Sequence, residues 1–113
     1  MKKIEAYIKP HKLSAVVMAL QKVNGFGGMS VVEVKGFGRR EPISAPRTRI
    51  DDLIDFSPYV RIEIFCSDEA SEEIVAAIVH SAHTGLRGDG KIYVSTVESA
   101  VRIINGVKGE QAI

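Results

Sequence analysis

The sequence predicts an α+β fold. Three observations carry that expectation: four runs of alternating apolar and polar residues, two stripes at helical spacing that follow the first and third of them, and a long irregular segment between the second and third. The 113 residues suit a single domain, 1–113, and 45% hydrophobic content excludes wholesale disorder.

In residues 3–9, Ile4, Ala6 and Ile8 alternate with Lys3, Glu5, Tyr7 and Lys9, the pattern of a half-buried strand, which Pro10 ends. Leu13, Val16, Val17, Leu20 and Val23 then recur as one face of a helix, with Asn24-Gly25 as its stop. Residues 29–36 read as a second strand, with Val32 and Val34 flanked by Glu33 and Lys35. In a third, 59–66, Val60, Ile62, Ile64 and Cys66 oppose Arg61, Glu63 and Phe65. Ser67 and Asp68 are candidate caps for a helix with the stripe Ile74, Val75, Ile78, Val79, Ala82, ended by Gly85. Residues 91–95 make a fourth strand, 100–104 suit a short fifth, and the polar tail 106–113 reads as loose. The order β-α-β, loop, β-α-β is the split βαβ, ferredoxin-like pattern, with both helices on one face of an antiparallel sheet. The other face, with Glu33, Arg61 and Phe65 among its residues, is left bare and invites packing against identical copies.

The net charge of +1 implies no nucleic-acid partner, no apolar run is long enough to insert in a membrane, and the lysine-rich start with an early Glu5 is not a signal peptide. One cysteine, Cys66, suits a buried position in a cytoplasmic protein. His80 and His83 lack a third ligand, so they are read as structural and no metal is expected. No nucleophile–base pair stands out.

The loop, about 39–58, exceeds ordinary hairpin length and is read as functional. Ile43, Ile50, Leu53, Ile54 and Phe56 are more apolar residues than a plain linker needs, and suit a partner's groove or the chain's own sheet. Arg47-Thr48-Arg49 sits beside Asp51 and Asp52 without interleaved aromatics, against nucleic acid. Two glycine clusters flank the strands: Gly36-Phe37-Gly38-Arg39, and Gly85 to Lys91 with Gly88-Asp89-Gly90 inside it. Such segments make turns, or let backbone N–H groups approach an anion, and Arg39, Lys91 and Arg102 would add charge. Spacing alone does not decide between these readings.

Taken together, Ile8-Lys9-Pro10, Glu33 to Arg39, Asp55-Phe56, Arg61 to Ile64, Thr84-Gly85 and Gly88 to Ile92 resemble the PII signal-transduction family over nearly the whole chain. The resemblance implies a homotrimer that binds ATP or ADP, and AMP as a further candidate, in clefts between subunits. It implies nucleotide contacts at Gly36, Phe37, Gly38, Arg39, Gly88, Asp89, Gly90, Lys91 and Arg102, with Tyr7, Ser30 and Phe65 near the base and sugar. The loop then corresponds to the family's T-loop, where Arg40, Pro42, Ile43, Arg47, Arg49, Ile50, Asp52 and Leu53 would meet a membrane transporter or metabolic enzyme.

Several positions depart from that pattern. Arg40 and Tyr59 stand where 2-oxoglutarate-binding members carry a Mg²⁺-ligating Gln and a carboxylate-pairing Lys, and Asp52 where many carry the uridylylated Tyr. Mg²⁺-dependent 2-oxoglutarate sensing and uridylylation are therefore not expected. Ile104 replaces a second Arg of the family, which weakens the preference for ATP over ADP or AMP, and Leu86 replaces a family Lys for which Arg87 is a candidate substitute. The alternative function is a small ferredoxin-like phosphatase or ATPase.

Overall fold

In a computed structural model, the described residues are 1–38 and 56–113, so the expectations placed on Arg39 to Asp55 lie outside them. Four strands, β1 (Lys2–Ile8), β2 (Ser30–Gly36), β3 (Ser57–Cys66) and β4 (Lys91–Thr96), form one sheet in the order β2-β3-β1-β4. Every neighbouring pair is antiparallel. Helix α1 (Leu13–Gln21) follows β1 through a 3₁₀ turn at Pro10–Lys12, and helix α2 (Asp68–Ala82) follows β3. This is the βαβ-βαβ arrangement expected from the alternation.

The core lies between the sheet and the two helices. Ile4 faces Ile64, Ala6 faces Ile62 and Ile8 faces Val60, and all are buried with Val16 and Leu20 of α1 and Ile74 and Ile78 of α2. A fully buried aliphatic side chain of this size contributes about 1.5–3 kcal/mol, so this double layer is the main source of stability. Cys66 is buried there, and burial pushes its thiol pKa up. Helix α2 begins at Ser67, whose hydroxyl accepts from the Ala70 N–H at 3.3 Å.

Four expectations change. Val79 is 54% exposed, and Ala70 takes its place in the buried stripe. The pairing of β2 places Glu33 opposite the buried Val60, on the helix side, while Val32 and Val34 pair with Arg61 and Tyr59 on the open face. Edge-strand β2 takes its facing from β3 rather than from its own pattern, and Glu33 is exposed because the helices do not reach that edge. Finally, 100–104 makes no strand: Val101 forms an isolated bridge with Lys108. The tail is tied back rather than loose. Arg102 N–H donates to Val107 O at 2.8 Å, Gly109 N–H to Ala100 O at 2.9 Å, and Gly109–Ala112 form a 3₁₀ turn.

Candidate functional site

The turn between α2 and β4 is organised around Asp89. The N–H groups of Thr84 and Gly85 each donate to its Oδ2 at 3.0 Å, and the Thr84 hydroxyl donates to Oδ1. Lys9 Nζ, at the end of β1, lies 3.2 Å from Oδ1 and donates to Thr84 Oγ1 at 3.0 Å. His83 Nδ1 lies 3.4 Å from Oδ2. The Thr84 hydroxyl and N–H, the Gly85 N–H and the Lys9 ammonium hold the Asp89 carboxyl well below the usual carboxylate range. Asp89 is thus consumed in shaping the turn.

Gly88 and Gly90 have φ of +82° and +98°. Gly90 is the stricter requirement, since a Cβ there would lie 1.7 Å from the Tyr7 carbonyl oxygen. The turn is therefore pressed onto β1, and Lys91 pairs with Tyr7 at the start of β4.

Tyr59 brings the other glycine cluster to the same place. A Cβ on Gly36 would be 2.9 Å from Tyr59 Cδ2, and one on Gly88 would be 3.1 Å from the Tyr59 hydroxyl. The Phe37 and Phe56 rings, 5.4 Å apart, close the two flanks of the long loop over this end of the sheet. Gly36, Gly88, Asp89, Gly90, Lys91 and Tyr7 thus meet at one end of the molecule, with Phe37 and Gly38 following directly from Gly36. Sequence reasoning assigned no site role to Lys9, Thr84 or Tyr59. The Thr84-Gly85 pair five residues before Asp89 was the available signal for an Asp-centred turn.

Ser30 and Phe65 lie elsewhere. They line an open groove of about 450 Å³ with Glu63, Met29, Val101 and Ile113. Phe65, 43% exposed, supplies an apolar wall, and Ser30 and Glu63 supply polar groups. Arg102 is exposed next to Val101. Ser30 and Gly36 are the two ends of β2, six residues or roughly 20 Å apart. One chain therefore carries two separated features, a glycine-rich turn with Lys9 and Lys91 beside it and an open groove with an apolar wall and polar rims.

The same architecture has relatives. The model of the nitrogen regulatory protein P-II family matches residues 1–107. The chain belongs to the P-II family. It is 47% identical to the nitrogen regulatory protein P-II of Rhizobium meliloti (strain 1021), 48% to that of Azospirillum brasilense and 43% to that of Haemophilus influenzae, each match covering all of both chains. These P-II relatives are named as regulatory proteins, and the chain is a member of a nitrogen-regulatory signal-transduction family. Among the described residues of this P-II chain, no helix is long and apolar enough to cross a membrane, and no three His, Cys, Asp or Glu side chains gather as a metal site.

Proposed function

We propose that the chain is a cytoplasmic regulator that binds ATP or ADP, and AMP as well, in clefts between the subunits of a homotrimer. The carrying observation is the separation of these two features. Gly36 and the Gly88–Lys91 turn lie at one end of the sheet, and the Ser30–Phe65 groove begins six residues away along β2. A nucleotide that uses both takes its phosphate cradle from one copy and its base pocket from the next. Gly36, Phe37, Gly38, Gly88, Gly90 and Lys91 would surround the phosphates, with Asp89 holding the turn and Tyr7 beside it. Arg39 and Arg102 would add positive charge, and Ser30, Phe65 and Glu63 would hold base and sugar. Exposed apolar residues support burial against a copy: Phe65, Val94, Tyr93, Ile103 and Ile104 are all exposed in the single chain.

Signalling would run through the loop of residues 39–58 to a membrane transporter or metabolic enzyme. With Arg40, Tyr59 and Asp52 at the family's effector and modification positions, Mg²⁺-dependent 2-oxoglutarate binding and tyrosine uridylylation are absent. The test is a thermal-shift panel of ATP, ADP, AMP, cyclic AMP and 2-oxoglutarate with Mg²⁺, alongside light scattering for mass. The expected result is a trimer whose melting temperature rises with ATP and ADP, with no additional rise from 2-oxoglutarate. A monomer unresponsive to every nucleotide, or steady phosphate release from ATP, sinks the reading.

A further inference from the structure

We propose that Tyr59 recognises phosphate, its hydroxyl standing beside Gly88 so as to donate a hydrogen bond to the terminal phosphate of ATP. The inference rests on the nucleotide-binding function proposed above, which gives Tyr59 no part in holding the nucleotide.

The position of the ring carries it. Tyr59 stands on β3, an inner strand, and pairs with Val34 on the open face of the sheet. Its ring passes so close to Gly36 that a Cβ there would lie 2.9 Å from Cδ2 and 3.1 Å from Cε2. Its hydroxyl reaches the opposite cluster, 3.1 Å from where a Gly88 Cβ would be. The half-buried side chain thus spans from the last residue of β2 to the turn before β4, with the aromatic part braced by backbone and the polar end at the turn. A donor fixed in this way loses little conformational freedom when it binds.

The surrounding chemistry selects an anion. Asp89, the carboxylate of the turn, has both oxygens engaged by Thr84, Gly85 and Lys9, with His83 alongside. Lys9 is paired to it and stands on the same side of Gly88 as the Tyr59 hydroxyl, its Cε 3.6 Å from the position a Cβ would take. A ligand arriving at the turn therefore meets glycine backbone, the Tyr59 hydroxyl and the paired Lys9, with the exposed Lys91 next in the chain. A phenol hydroxyl both donates and accepts, so beside these groups it serves as a donor to a phosphate oxygen. Glycine at 88 keeps the approach open, because any side chain would press on the hydroxyl.

Isothermal titration of the full chain and its Tyr59→Phe variant with ATP and with AMP tests the proposal. Phenylalanine keeps the ring against Gly36 and removes only the donor. A lost hydrogen bond to a charged group lowers ATP affinity about tenfold, while AMP affinity stays within about twofold, so the ATP-to-AMP affinity ratio narrows. Equal weakening of both nucleotides marks a merely structural role and overturns the proposal. Unchanged ATP affinity in the variant overturns it while leaving the nucleotide site intact. Failure of the unaltered chain to bind ATP overturns the nucleotide function itself, and the proposal with it.

Discussion

Lys9 Nζ and the Asp89 carboxylate lie 3.2 Å apart, joining the end of β1 to the turn before β4 across eighty residues of chain. Because the same carboxylate accepts from Thr84 and Gly85, one charge fixes the glycine turn and its position on the sheet together.

Acid should loosen this turn first. The Thr84 hydroxyl, followed by the backbone N–H groups and the Lys9 ammonium, depresses the Asp89 pKa in the folded state. A carboxyl with a folded pKa below its unfolded one contributes stability that is fully present above about pH 4 and is lost progressively as pH falls below it. Asp89→Asn removes that contribution, so its stability should fall less steeply between pH 5 and pH 3, on the order of the carboxylate range. Glu5 and Asp68 are depressed as well, so some acid sensitivity persists. Urea denaturation at stepped pH measures both slopes, and parallel slopes would count against Asp89 as the hub.

Glycine is required at 90 and dispensable at 38. Gly90→Ala would set a Cβ 1.7 Å from the Tyr7 carbonyl oxygen at a φ of +98°, and backbone on both sides leaves no flexible group to yield. The expected loss is more than about 3 kcal/mol. A Cβ on Gly38 meets nothing within 4 Å, so Gly38→Ala should change stability by less than about 0.5 kcal/mol. Comparable denaturation midpoints for the two variants would contradict this packing of the turn on β1.

The fold was legible where one periodicity dominates. β1 and β3 alternate strictly and α2 carries a clear stripe, so element order and most of the core follow from the residues. β2 was harder because Val31, Val32 and Val34 put apolar residues on both faces, and its pairing with β3 decides which face meets the helices. Both glycine clusters were visible as clusters. That they meet was not, because Tyr59 and Lys9 reach them through sheet register, and Lys9 and Thr84 are 75 residues apart. The docked tail escaped notice because its backbone hydrogen bonds leave no side-chain pattern.

The core prediction separates two residues of similar hydrophobicity. Ile62 is fully buried, opposite Ala6 on one side and Val31 on the other. Ile62→Ala removes that packing and leaves a cavity, at a cost of about 2–5 kcal/mol. Val79, 54% exposed on α2, should cost less than about 1 kcal/mol when changed to Ala. Urea midpoints settle the comparison, and equal losses would contradict the facing of α2.

On the open face, Lys3 separates two carboxylates. Glu5 and Glu63 stand directly opposite each other in the β1–β3 register. Lys3 Nζ lies 3.3 Å from Glu5 and 3.5 Å from Glu63, and the Tyr7 hydroxyl donates to Glu5 at 2.9 Å. Tyr7 first and Lys3 second hold the Glu5 carboxyl below its usual range, while both glutamates raise the Lys3 pKa. In Lys3→Met the like charges face each other with their shared cation gone, a destabilising cross-strand pair. The stability deficit should therefore be largest at neutral pH, where both carboxylates are ionised. It should shrink as pH falls through the ordinary carboxylate range and one of them takes up a proton. Adding Glu63→Gln should recover most of the neutral-pH loss, because one charge of the opposed pair is then absent. Equal deficits at pH 7 and about pH 4, or no recovery in the double variant, would show that Lys3 acts through its packed stem rather than its charge.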